Sequence, residues 1–145
     1  MAVDFVKGRV TGVADGVFVY VGPEGDSNNG IVLTDEGTIS VDSYVKQYAG
    51  LTVALEQLSE RPVRLAINTY DDADHYSMNH FFRRQGAMII ASEVCRSRIE
   101  TKMEMASWVE DLRRRNPALA HELTNPEELV PHVGVQDRAT LKIGG

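Results

Sequence analysis

Apolar positions along this chain change their spacing near residue 48. Before that point they fall in short runs: Phe5 to Val10, Gly16-Val17-Phe18-Val19-Tyr20-Val21-Gly22, Ile31-Val32-Leu33-Thr34 and Thr38-Ile39-Ser40-Val41. Short runs rich in valine, isoleucine and aromatics predict antiparallel strands. Between the second and third runs lies Pro23-Glu24-Gly25-Asp26-Ser27-Asn28-Asn29-Gly30, dense in turn formers and predicted as a loop. Asp35-Glu36-Gly37 separates the last two runs and predicts a hairpin, with Gly37 free to take positive φ.

Then the period lengthens. Tyr48, Leu51, Leu55 and Leu58 share one face of a helix that should stop before Arg61-Pro62. Val63 to Asn68 predicts a strand, a short helix follows the Asp74-His75 region, and Ala87 to Ala91 predicts another strand. Ser92 is placed to cap one long helix whose apolar face runs Ile99, Met103, Ala106, Val109 and Leu112. Arg113, Arg114 and Arg115 suit the C-terminal end of its dipole. Asn116-Pro117 and Asn125-Pro126 read as new helical starts, and Ala139 to Ile143 alternates like a final strand. The order is a β meander followed by helix, strand, helix, strand, helix, strand. That is an α/β chain, and residues 1–145 make one domain.

Composition changes this picture little. Hydrophobic residues at 43% and charged residues at 25% are ordinary for a globular chain. A net charge of −6 argues against nucleic acid as a partner, which would ask for a basic face. The single cysteine, Cys95, excludes an internal disulfide framework. No signal-peptide pattern opens the sequence, and no apolar run approaches the roughly 20 residues of a membrane span. The expectation is a cytoplasmic protein with no membrane partner.

Candidate chemistry concentrates in Asn68-Thr69-Tyr70-Asp71-Asp72-Ala73-Asp74-His75, between a predicted buried strand and a predicted helix. Strand ends in α/β layers are where sites are built. Three carboxylates this close repel one another at low dielectric, and a bound cation held by carboxylate and imidazole would relieve that. The same residues also read as an acidic helix N-terminus that complements the dipole, with His75 in solvent. Sequence leaves both readings open. His80 is expected on the outer face of the following helix, and His121 and His132 as surface or satisfied histidines. Cys95 is expected as a small buried hydrophobe, and Trp108, Met103 and Met105 as core or subunit contacts.

The chain resembles the metallo-β-lactamase superfamily. Gly16 to Val41, closed by Asp42, resembles its opening hairpins. Asn68-Thr69-Tyr70-x-Asp72-x-Asp74-His75 falls where that family carries N-T-H-x-H-x-D-H, with Asn79 and Phe81 in familiar places beyond it. The tail from Asp137 to Gly145 resembles the strand before the next ligand. Two positions depart: Tyr70 and Asp72 stand where the family has histidines. A carboxylate at the second of these is similar to the H-x-E-x-D-H pattern of flavo-diiron proteins.

The resemblance implies a metal site on Asp72, Asp74 and His75, with Tyr70 as a further ligand. Its oxygen-rich donors would favour iron over manganese or zinc. Asp74 would also be the catalytic proton acceptor, while Asp42 either orients a ligand histidine or merely caps a turn. The Asp26–Gly30 loop would reach over the site. The family's second half supplies further histidines and a bridging aspartate, so the resemblance implies half of an αββα sandwich completed by a partner chain. The expected function is one subunit of a hetero-oligomeric metal-dependent hydrolase, in which a metal-bound hydroxide attacks an electrophilic carbon of a small-molecule substrate. Among split members of the superfamily this includes cleavage of a nitroaryl methyl ether such as 2,4-dinitroanisole. A non-catalytic scaffold with a decayed motif is the alternative. A homodimeric hydrolase using His121 or His132 is the third reading.

Overall fold

The chain is known from a computed structural model that describes residues 3–5, 8–23 and 26–144. Residues 6–7 of the first predicted run, 24–25 of the predicted loop and Gly145 of the tail lie outside the described residues. Among the described residues eight strands make one sheet in sequence order: β1 (Val3–Phe5), β2 (Gly8–Ala14), β3 (Val17–Val21), β4 (Asn28–Thr34), β5 (Gly37–Val41), β6 (Val63–Asn68), β7 (Met88–Ser92) and β8 (Val133–Val135). The first five pair antiparallel, as the short runs and turn formers predict. Strands β5 to β8 are parallel, because a helical segment separates each from the next. These segments are α1 (Tyr48–Leu58), α2 (Ala73–Tyr76) with α3 (Asn79–Arg84), and α4 (Glu93–Met103) with α5 (Ala106–Arg115).

Each parallel step moves the same way across the sheet. Right-handed crossovers, the rule for such connections, then carry every helix to one face. The row Phe18, Ile31, Ser40, Ala66, Ile89 lies in register across five strands and points to that face. Ile31, Ala66 and Ile89 pack there against Leu51 and Ala54 of α1 and Phe82 of α3 in one buried core. Full burial of a side chain like Leu51 or Phe82 contributes roughly 1.5–3 kcal/mol. A second core lies under α4 and α5 and gathers Tyr76, Cys95, Ile99, Met103, Val109, Leu112 and Leu129.

The opposite row, Val17, Val32, Ile39, Leu65, Met88, points away from the helices. Among the described residues no helix covers that face, where Val17, Val32 and Ile39 are half-buried and Met88 is 50% exposed. No helix of the described residues is long and apolar enough to cross a membrane.

Four expectations are corrected. Strand β4 begins at Asn28, so the predicted loop ends three residues early. The long helix after Ser92 is two helices that break at Glu104-Met105. At 100° per residue, Leu112 would sit about 140° away from Ile99 on a continuous helix. The break returns Val109 and Leu112 to the core that Ile99 and Met103 share, and leaves Ala106 exposed. Ser92 caps α4 as expected, its hydroxyl accepting from Cys95 N at 3.2 Å. No strand forms over Ala139 to Ile143: Val133–Val135 takes the place beside β7. The tail instead brings Leu141 and Ile143 to a cleft lined by Glu36, Arg64, Leu65 and Met88.

His80 is the fourth. It is 2% exposed and buried, not on the outer face, because α3 is a six-residue helix wedged between the sheet and residues 126–130. Asn79 Nδ2 donates to Leu129 O at 2.8 Å, and Arg84 pairs with Glu122 and Glu128. Burial, reinforced by Arg84 and opposed by Glu128, pushes the His80 imidazole down to about 4. The folded state therefore holds it neutral while an unfolded chain protonates it near pH 6.5. Its contribution is complete above that pH and is lost as pH falls toward 4, a difference worth about 3 kcal/mol. Thermal melts between pH 7 and 4.5 should show this decline, and His80→Leu should flatten it; an unchanged slope in the variant refutes the assignment.

Candidate metal centre

The parallel strands β5 and β6 end side by side, and the site forms just beyond their C-terminal ends, as sheets of this kind favour. Directly after β5, Asp42 takes φ 61, a left-handed conformation that aspartate tolerates better than most residues. Its backbone N donates to Ile67 O at 2.8 Å, which ties it to β6. The carboxylate faces the segment that leaves β6. Oδ1 accepts from Thr69 N at 2.7 Å, and Oδ2 accepts from Thr69 Oγ1 at 2.5 Å. His75 Nδ1 lies 2.9 Å from the same Oδ2. A carboxylate on Nδ1 keeps the proton there and leaves Nε2 with its lone pair.

The backbone around His75 is fixed from three sides. Asn68 Nδ2 donates to His75 O at 3.0 Å, and Ser43 N donates to it at 3.1 Å. Asn68 and Asn79 pair amide to amide, Asn79 Nδ2 donating to Asn68 Oδ1 at 2.7 Å and Asn68 Nδ2 to Asn79 Oδ1 at 3.0 Å. Ser27 Oγ, from the loop expected to reach the site, donates to Asp74 O at 3.2 Å.

Of the four expected ligands, the structure brings two together. His75 Nε2 stands 3.4 Å from Asp74 Oδ2, and both side chains are partly exposed, at 27% and 37%. Ligand atoms about 2.1 Å from one metal in tetrahedral array lie about 3.4 Å from each other, so this pair fits two corners of a coordination sphere. Tyr70 is 49% exposed, and its ring meets His75 edge-on with centroids 5.6 Å apart. Asp72 turns elsewhere: its Oδ1 lies 3.4 Å from Lys102 Nζ. Among the described residues no group of three His, Cys, Asp or Glu is gathered to hold a metal ion.

Asp71 pairs with two cations of α4. It is buried, with Lys102 Nζ at 2.7 Å from Oδ2 and Arg98 Nη1 at 3.5 Å from Oδ1. Burial pushes its carboxyl up, but the two cations outweigh burial and hold it below its ordinary value. Sequence reasoning missed Lys102 and Arg98. Their signal was legible: they stand four apart and so share one face of α4.

The remaining candidates lie away from this point. His132 Nδ1 accepts from Ile89 N at 2.9 Å, and the His121 side chain is 72% exposed beside Glu122. Cys95 is a free, buried thiol, pushed up to about 11 chiefly by burial. Met103 is buried, Met105 is 46% exposed, and the Trp108 ring lies under Lys102, 4.8 Å from Nζ.

No family model and no curated protein matches the sequence. Solved structures do match in shape. A metallo-β-lactamase from Pontibacter korlensis superposes with TM-score 0.62 at 22% identity, over 96% of this chain and 57% of that one. The metallo-β-lactamase FIM-1 from Pseudomonas aeruginosa, in its mono-zinc form, superposes with TM-score 0.54 at 22% identity, over 63% of this chain and 45% of that one. The chain therefore has a metallo-β-lactamase-like α/β fold, and it spans about half the length of the solved proteins that share it.

Proposed function

We propose that this chain is one subunit of a metal-dependent hydrolase, and that a second chain carrying the C-terminal half of the fold completes it. The observation that carries the reading is the His75 Nε2–Asp74 Oδ2 pair, held by Asp42 at the strand ends of this fold. A metal bound there supplies a Lewis acid that brings the pKa of water near neutrality, and so a nucleophile for an electrophilic carbon. Asp42 and Thr69 keep the His75 ring oriented with Nε2 outward. Asp74 lies beside it and accepts the proton of the attacking water. Asp74, His75 and Tyr70 are partly exposed and so within reach of a small molecule.

Two features support a partner. The described residues present two ligands where a metal needs more, and no described helix covers the opposite sheet face, where Met88 is 50% exposed. The substrate class we carry forward is a nitroaryl methyl ether such as 2,4-dinitroanisole: water adds to the ring carbon bearing the methoxy group, and methanol leaves. Iron is favoured over manganese or zinc to the extent that Tyr70 lends an oxygen beside Asp74.

Elemental analysis of the chain alone and co-purified with the product of a neighbouring reading frame tests the reading, together with methanol release from 2,4-dinitroanisole. Near-stoichiometric metal confined to the co-purified pair supports it. Absence of metal from both samples refutes it and favours the scaffold, a reading that the Lys102–Asp72 contact also supports.

A further inference from the structure

The acidic run 71–74 looks in sequence like carboxylates waiting for a metal. In the folded chain their repulsion is already answered from α4. Lys102 Nζ lies 2.7 Å from Asp71 Oδ2 and 3.4 Å from Asp72 Oδ1, donates to the Asp71 carbonyl, and rests 4.8 Å from the Trp108 ring centre. Its side chain is 16% exposed, so the ammonium is fixed from several sides and not a free surface charge. Arg98 adds a second cation on Asp71. The helix that carries them is anchored by Cys95, Ile99 and Met103 in the core.

Lys102 competes with a metal for Asp72, although that side chain is 57% exposed. A cation about 2.1 Å from that carboxylate oxygen would stand within about 5.5 Å of the Lys102 ammonium, where like charges repel strongly. Tyr70, the other oxygen donor expected here, is half-exposed, and its ring meets His75 edge-on.

Resting on the hydrolase reading above, we propose that Lys102 stands in for a second cation: the centre holds one metal, on Asp74 and His75, and Asp72 is an ion-pair partner of Lys102, not a ligand. The lysine balances the charge of Asp71 and Asp72 and shapes the segment from which Asp74 and His75 project.

Native mass spectrometry of the assembled protein, stripped of metal and titrated with Zn²⁺ and with Mn²⁺, counts ions directly. The wild type should take one metal per copy of this chain, as should Lys102→Arg, which keeps the charge. Lys102→Met should gain a second ion, or bind it at least about ten-fold more tightly than the wild type does, the scale on which outer partners tune such sites. Asp72→Asn keeps the shape, does not depend on Lys102→Met folding, and should leave the first ion's affinity unchanged. Two ions in the wild type, or a loss of about ten-fold or more in affinity in Asp72→Asn, overturns the one-metal proposal and leaves the hydrolase reading standing. No ion in any variant overturns both.

Discussion

Replacing Asp42 with alanine is expected to lower the free energy of unfolding by about 3–5 kcal/mol, the largest effect of any single polar change here. The carboxylate is buried and takes Thr69 N, Thr69 Oγ1 and His75 Nδ1 at 2.5 to 2.9 Å. Hydrogen bonds to a charged group are worth about 1.5–3 kcal/mol each, with partial redundancy between the two from Thr69. Alanine would also have to hold φ 61, which costs about 1–2 kcal/mol for a residue with a Cβ and no polar side chain. Denaturant unfolding measures the sum. Asp42→Asn separates stability from function. Asparagine accepts the left-handed backbone, and its amide oxygen still serves Thr69 N. Its amide nitrogen then faces His75 Nδ1, moves the ring proton to Nε2 and removes the lone pair from the ligand side. Stability should fall by only about 1–2 kcal/mol, while metal affinity drops about 10–100-fold. Equal losses on both scales would mean that Asp42 is only a turn residue.

His75→Ala should have the opposite profile. The His75 carbonyl, not the ring, holds Asn68 and Ser43, so the segment keeps its course when the ring is removed. The stability cost is one charge-assisted hydrogen bond, about 1.5–3 kcal/mol. Metal retention should fall by more than the roughly 100-fold that loss of an outer partner costs, and hydrolysis should fall with it. Elemental analysis beside a melting curve reads both. A folded variant that still carries metal would move the centre away from Asp74.

Much of the architecture could be read from residue types. The glycines and turn formers between Val17 and Val41 mark antiparallel hairpins, and the Tyr48–Leu58 face and the Val63–Asn68 run mark the change to βαβ units. The larger misses share a cause: each depends on contacts distant in sequence. Ala139 to Ile143 alternates well, but a strand needs an edge, and Val133–Val135 already pairs with β7. His80 looks exposed on its own helix, and only the residues 126–130 that cross over α3 bury it. At the site, Asp74 and His75 were legible from the motif, whereas the direction of Asp72 was not. Lys102, thirty positions later, decides it. Asp42 was placed by its position after a hairpin, yet its contacts with Thr69 and His75 are seen only in the folded chain.

The buried thiol of Cys95 has a practical consequence. It is the chain's one cysteine, and it points into the core beneath α4 with its pKa pushed up to about 11. A thiol held neutral and shielded does not react with an alkylating reagent until the helix lifts. The labelling rate of the unmodified protein therefore clocks the opening of α4, and because α4 carries Lys102, it times the loss of the cation from Asp71 and Asp72.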